Sequence, residues 1–345
     1  MAAELLEATR VHYNSFFMLL AGDVGGTKTL LGLFDPSDGR PRAVDIRAFA
    51  TQAFASFEDL LDAFTRELPR GTAVSAASFG VAGPVLGDSA RLTNVPWTIA
   101  RHDLAARLGT SSIGLLNDLE ALGWSLGALA PEDVAVLQDG EANLDGHAAL
   151  IAAGTGLGQA TLHRIDGRLV PMASEGGHAD FAARTDRELE LVRTLREQHG
   201  RAEVEQVLSG PGLINIHALT HRGGWCEMVE GVAPADAPAR VSQAGLSGRC
   251  QGCVEALRMF ASAYGAEAGN LALRSLATAG VYVGGGIAPR ILPALRGGLF
   301  MDAFRDKAPM AHLLARIPVR VILNAEAGLL GAAVHAQARA EASPA

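Results

Sequence analysis

Apolar positions along this chain fall in short runs closed by glycine turns. Leu19-Leu20-Ala21 leads into Gly22-Asp23-Val24-Gly25-Gly26-Thr27 and continues through Leu30-Leu31-Gly32-Leu33. Later, Leu150-Ile151-Ala152-Ala153 leads into Gly154-Thr155-Gly156-Leu157-Gly158 and continues through Ala160-Thr161-Leu162. Each stretch reads as a strand, a tight turn and a second strand. One glycine hairpin signals only a turn; two alike point to a duplicated α/β half. Glycine gives access to φ > 0 and lets backbone approach a ligand closely. Successive amide N–H groups in such a turn form an anion-binding concavity. The pattern therefore predicts a nucleotide whose phosphates lie between the two hairpins.

The remaining runs fill in an α/β alternation. Phe16–Ala21 reads as a buried strand running into the first turn. Val74–Ala82 is a small-residue strand ending in Gly83-Pro84, a turn signal. Ser112–Leu116 is a strand followed by Asn117-Asp118 and a helix over Leu119–Ala130. Asp186–Leu276 is mainly helical in pattern. Val281-Tyr282-Val283 then runs into Gly284-Gly285-Gly286, Val319–Leu323 is a late strand, and Ala327–Ala338 is a closing helix. Such alternation implies mixed sheets with helices on their faces. With no linker rich in Pro or Ser, two closely packed domains around a cleft are expected. The first spans 19–128 and is completed by 326–340, the second spans 129–325, and 1–18 is an N-terminal extension.

A chain of 345 residues is long for one core, which also favours two domains. Charged residues make up 19%, an ordinary globular composition. The net charge of −8 and the absence of a Lys/Arg block argue against a nucleic-acid partner. No apolar run reaches membrane-span length, so no membrane is expected. The leader carries Glu4, Glu7, Arg10 and His12 and lacks the features of a signal peptide, so the cytoplasm is the expected location. A homodimer is the expected assembly.

Three segments carry candidate chemistry. Asn117-Asp118 lies at the carboxyl end of a strand, where open α/β sheets present ligand-binding groups. Asp118 reads either as the cap of the following helix or as a functional carboxylate, and the two readings are compatible. Ser174-Glu175-Gly176-Gly177-His178-Ala179-Asp180 reads as a polar loop, a Glu–His catalytic pair, a metal site, or a polyol reader whose carboxylate accepts from vicinal hydroxyls. Gly-Gly between the two residues opposes a metalloprotease helix. Gly284-Gly285-Gly286 is either a plain turn or a close approach for a base or ribose. The three cysteines, Cys226, Cys250 and Cys253, are too few and odd in number for a disulfide framework. His217 and His221 stand upstream of the Cys250-x-x-Cys253 pair, but the spacing matches no standard zinc pattern and the pair opens a helix. Reduced, buried thiols without zinc are expected.

Taken in order, the motifs resemble the bacterial glucokinases of the hexokinase-like, actin-related ATPase superfamily. The stretches are Gly22–Thr27, Phe79–Pro84, Leu92-Thr93-Asn94-Val95-Pro96-Trp97, Leu116-Asn117-Asp118, Ala153–Gly158 and Glu175-Gly176-Gly177-His178. Leu208–Leu213, Gly280–Ile287 and Asn324–Gly331 follow. The resemblance spans residues 19 to 338. It implies a two-domain actin-like ATPase (ribonuclease H-like) fold, α/β in class, with duplicated mixed sheets and a cleft between domains. A departure is Lys28, where many members carry Asn. The Gly-Gly-Thr-Lys wording also resembles the repressor/kinase (ROK) sugar kinases. Those usually carry a cysteine-rich zinc motif after the sugar-binding histidine, which is absent after His178.

The implied reaction is transfer of phosphate from ATP to D-glucose, giving ADP and glucose 6-phosphate. The resemblance implies Asp118 as catalytic base on the sugar 6-hydroxyl. It implies Asn117, Asp118, Glu175, His178 and Glu205 as sugar ligands. ATP would be held by Gly22, Asp23, Val24, Gly25, Gly26 and Thr27, with Gly154, Thr155 and Gly156 opposite, and by Gly285. Mg²⁺ would be held by Asp23, through water. Domain closure on sugar would exclude water from the phosphate. The competing readings are a kinase of mannose, fructose or an amino sugar, and a non-catalytic sugar sensor. The stretch before the first strand is too short for the helix-turn-helix domain of such sensors.

Overall fold

The computed structural model describes residues 18–342 except 38, 94, 223 and 225. The expected N-terminal extension, Phe16, Phe17 and the Asn94 of a quoted motif lie outside the described residues. The chain divides into two compact units, residues 1–118 with 332–345 and residues 119–331.

The first unit holds a mixed sheet of β1 (Met18–Val24), β2 (Lys28–Asp35), β3 (Arg42–Ala50), β4 (Val74–Val81) and, after a small three-stranded sheet, β8 (Ile113–Asn117). That small sheet is β5 (Val85–Leu86), β6 (Ser89–Arg91) and β7 (Thr98–Ala100). The main order is β3-β2-β1-β4-β8. β1 pairs antiparallel with β2 and parallel with β4, and β4 pairs parallel with β8. β1 is buried at every position except half-buried Asp23, as expected of a strand covered on both faces. Helix α1 (Phe57–Arg66) starts at Ser56, whose hydroxyl accepts from the Asp59 amide at 3.1 Å. Its Phe57, Leu60, Leu61 and Phe64, at helical spacing, enter a core with Leu20, Leu31 and Phe79. α2 (Arg101–Leu108) precedes β8.

The second unit begins with α3 (Asp118–Ser125, whose first residue closes the first unit) and β9 (Val134–Gln138). Then come β10 (Ala148–Ala153), β11 (Leu157–Ile165) and β12 (Arg168–Ser174). β13 (Gly280–Gly284) and β14 (Val319–Ile322) complete a sheet of order β12-β11-β10-β13-β14-β9. The first five repeat the order and directions of the first unit's sheet, with β9 added antiparallel at the edge. The duplication read from the two hairpins is thus present in the topology.

The helical stretch is α4 (Asp186–His199), α5 (Gly210–Thr220), α6 (Ala237–Leu246) and α7 (Gln251–Ser275). The short helices α8 (Leu292–Arg296), α9 (Leu299–Arg305) and α10 (Ala311–Leu314) follow β13, and α11 (Ala327–Ala342) ends the description. α7 supplies Phe260, Tyr264 and Leu271 to the larger core, which it shares with Ile151, Val283 and Phe300.

Two expectations shift. The helix after Asn117 stops at Ser125, and Leu126–Ala128 form a tighter turn. The units divide at Asp118/Leu119 and Gly331/Ala332 rather than near 128 and 325. The reason is packing within the second unit, where Gly123 of α3 lies against Pro171 and Gly331 of α11 lies against the Ala121 carbonyl.

Candidate active site

In the first unit the glycine turn closes β1 onto β2. The Gly25 amide donates to the Lys28 carbonyl at 3.1 Å, and the Gly25 carbonyl accepts from the Thr51 hydroxyl at 2.7 Å. Thr51 also shares a hydrogen bond with the buried Thr29 hydroxyl at 2.8 Å, and its amide donates to the Thr27 carbonyl at 3.0 Å. Thr51 was invisible in the motif because it lies on a separate turn after β3.

Asp23 is the half-buried residue of β1, one position before its end. Burial, and then the negative charge of Asp118, push its carboxyl up to about 6, while Lys28 pulls the other way. The two acids are thus electrostatic neighbours within one unit. Asn117 closes β8, and exposed Asp118 is the first residue of α3, so the position ahead of the helix belongs to Asn117. The carboxylate still sits at the positive end of the helix.

In the second unit the turn between β10 and β11 has the Gly154 amide donating to the Gly156 carbonyl at 2.8 Å. The Gly154 carbonyl accepts from the Gly210 amide at the start of α5, also at 2.8 Å. Neither Gly25 nor Gly156 adopts the left-handed conformation to which glycine gives access. Glycine is needed at 156 for space, because a Cβ there would stand 2.6 Å from Glu205 Oε2. That oxygen accepts from the Leu157 amide at 2.7 Å. Gly285 does stand at φ +81°, and a Cβ there would strike the Ala153 carbonyl. Ala153 is held from the other side by the buried Tyr264 hydroxyl, which accepts from its amide at 3.1 Å. Burial raises the Tyr264 phenol above its ordinary range, so it stays protonated. No motif pointed to Tyr264, which lies mid-helix in an apolar stretch of α7.

The loop after β12 carries exposed Glu175 and a single turn over Gly176–His178. His178 Nδ1 lies 2.8 Å from Glu203 Oε2, so its bonded partner is Glu203 rather than Glu175. That hydrogen bond, and then the charges of Glu205, Glu203 and Glu175, raise the imidazole above its usual range. The Glu205 amide donates to the Gly177 carbonyl at 2.8 Å, which ties the 203–205 segment to the same loop. Glu175, His178, Glu205 and the Gly154–Gly156 turn therefore belong to one connected patch of the second unit. Glu203 was missed because nothing in sequence links it to a histidine 25 residues earlier.

The thiols and upstream imidazoles, kept apart in the sequence reading, are gathered together. His217, His221, Cys226 and Cys253 present ligand atoms all within 4.8 Å of one another.

Comparison with known proteins finds one family across the whole length of the fold. The family model described as Glucokinase matches residues 20–339. A glucokinase of Synechocystis sp. is 39% identical over 91% of this chain and 96% of that protein. The crystal structure of a glucokinase from an Antarctic psychrotroph superposes with a TM-score of 0.85 at 27% identity, covering 94% of this chain and all of that one. A ROK family glucokinase from Streptomyces griseus, solved with glucose and AMPPNP, shares the fold with a TM-score of 0.58 at 22% identity, over 93% of this chain and 99% of that one.

Proposed function

The chain belongs to the glucokinase family and phosphorylates glucose with ATP, and we propose how its residues divide that work. The carrying observation is that Asp23, near the end of β1, and Asp118, just beyond the end of β8, feel one another's negative charge across β4 of the first unit's sheet. One carboxylate serves the phosphates, and the other serves the sugar.

Asp118 accepts a hydrogen bond from the glucose 6-hydroxyl and takes its proton as the O6–phosphorus bond forms. The bond from the γ-phosphorus to the bridging oxygen breaks, and ADP leaves with that electron pair. Phosphoryl transfer asks for positioning and charge neutralisation more than covalent help. The amides of Gly22–Thr27 and of Gly154, Thr155 and Gly156 provide donors for phosphate oxygens. Gly285, whose bare Cα lets the exit of β13 close against Ala153, borders the nucleoside.

Magnesium fits this donor set. Asp23, pushed up to about 6 first by burial and then by the charge of Asp118, forms with it an oxygen-rich, anionic patch of the kind a hard cation relieves. Asp23 would hold the ion through water, and the ion would neutralise charge growing on the phosphate oxygens.

Asn117, Glu175, His178 and Glu205 read the other hydroxyls. The Glu203–His178 hydrogen bond fixes the imidazole in one orientation, and a site that hydrogen-bonds each hydroxyl rejects sugars lacking one. Glucose 6-phosphate formation places the reaction at the entry to glycolysis. Among the described residues no helix is long and apolar enough to cross a membrane. A coupled assay with ATP and a hexose panel tests the reading. Glucose should give the highest kcat/KM, and a preference for mannose, fructose or glucosamine would overturn the assignment of the hydroxyl readers.

A further inference from the structure

We propose that His217, His221, Cys226 and Cys253 form a tetrahedral zinc site in the second unit, apart from the sugar and nucleotide residues. The four come from three places in the chain: the last turn of α5, the loop beyond it, and the first turn of α7. No motif spacing reveals them, because the loop and α6 separate Cys226 from Cys253.

The distances match the metal. Zinc binds thiolate sulfur at about 2.3 Å and imidazole nitrogen at about 2.0 Å, so the edges of its tetrahedron are roughly 3.3–3.8 Å long. Cys226 Sγ lies 3.6 Å from Cys253 Sγ and 3.6 Å from His217 Nε2. All four ligand atoms fall within 4.8 Å of one another. A small contraction around an ion completes the polyhedron.

The second shell is also in place. His221 Nδ1 lies 2.9 Å from the His217 carbonyl, which can only accept. That fixes the proton on Nδ1 and leaves Nε2 as the lone-pair nitrogen a metal requires. The two imidazoles stack with centroids 3.9 Å apart, and each offers one nitrogen to the cluster. Gly252 supplies the remaining space, since a Cβ at that position would stand 2.5 Å from His221 Nε2. Cys250, 3.2 Å from the same nitrogen, borders the site without completing it.

Two imidazoles and two thiols select a borderline-soft ion over magnesium or calcium. Zn²⁺ binding converts two thiols to thiolates and sends both protons to solvent, leaving a neutral centre beside the core. The ion would staple α5 to α7 and pin the intervening loop. Its contribution is structural, because all four positions are taken by protein.

The test is elemental analysis of the full chain, purified in reductant and dialysed against zinc and then a weak chelator. We expect about one zinc per chain. Cobalt substitution should give the intense visible bands of a tetrahedral thiolate site, and a strong chelator should lower Tm. Cys226→Ser, in the partly buried loop, should lose the metal while keeping glucose phosphorylation measurable at low temperature. Should that variant fail to fold, the cobalt spectrum of the native chain decides alone. Zinc-free protein after this treatment, or octahedral cobalt without thiolate charge transfer, overturns the proposal. So does metal retained by Cys226→Ser. None of these results depends on which residues bind sugar.

Discussion

Glu205 Oε2 accepts a hydrogen bond from the Leu157 amide at 2.7 Å, so a carboxylate assigned to the sugar also braces the strand leaving the second glycine turn. The two duties can be separated by substitution. Glu205→Gln keeps an oxygen for the amide and loses the charge. It should raise KM for glucose several-fold with little change in Tm. Glu205→Ala strands the Leu157 N–H, a loss worth roughly 1–3 kcal/mol, and should lower Tm as well. Initial-rate kinetics beside thermal melts resolve the two. A glutamine variant with wild-type KM would leave Glu205 only the bracing duty.

Asp118→Asn should remove most turnover while glucose still binds. Loss of a general base costs on the order of 10²–10⁴-fold in rate. The substitution also relieves the charge that helps push Asp23 upward, so Asp23 should titrate lower. Rapid-quench turnover and calorimetric glucose titration are the measurements. A near-normal kcat would reduce Asp118 to a helix-terminus residue.

Glu175→Gln and His178→Ala should raise KM for glucose far more than KM for ATP. Glu203→Gln should produce a weaker version of the His178 effect, since it removes the partner that orients the imidazole. Varying each substrate separately reads this out. A defect selective for ATP would move the loop to the nucleotide.

His335 should make stability fall in acid. Its ring is packed against Gly114, with Nδ1 2.9 Å from the Ser78 hydroxyl. Burial, followed by the positive charges of Arg339 and Arg101, pushes it down to about 4 from 6.5. Between those values the unfolded chain binds a proton that the folded chain refuses, so stability is full above pH 6.5 and declines toward pH 4. The decline attributable to this ring is about 3 kcal/mol. His335→Gln should flatten that part of the Tm-against-pH curve. An unchanged acid slope would assign the loss to other groups.

The parts legible in sequence were those with a period or a punctuation mark. Both glycine hairpins, the strand ending in Asn117 and the Glu175–His178 loop follow directly from apolar runs broken by glycine. The duplicated sheet order followed from two such runs being alike. What stayed hidden depends on distant pairing. Glu203 meets His178, Tyr264 meets Ala153 and Thr51 meets Gly25 only once the sheets have formed. Of the two reasons for glycine in these turns, access to φ > 0 is not used at Gly25 or Gly156. At Gly156 a neighbouring carboxylate, not a left-handed φ, forbids a side chain. The gathering of two histidines with the cysteines was missed because ligand spacing was read along the chain, whereas the helix ends bring the groups together in space.

The first unit is completed by residues 332–342, although its five-stranded sheet ends at Asn117. His335 lodges beside Ser78 and Gly114 of that sheet. During synthesis, then, the half whose strands leave the ribosome first is the half that finishes last. Until α11 emerges, the slot beside Ser78 has no imidazole, and the nascent sheet waits with an open side through the whole translation of the second unit. Chaperone dependence and sensitivity to C-terminal truncation should both concentrate in this half, the one bearing Asp118.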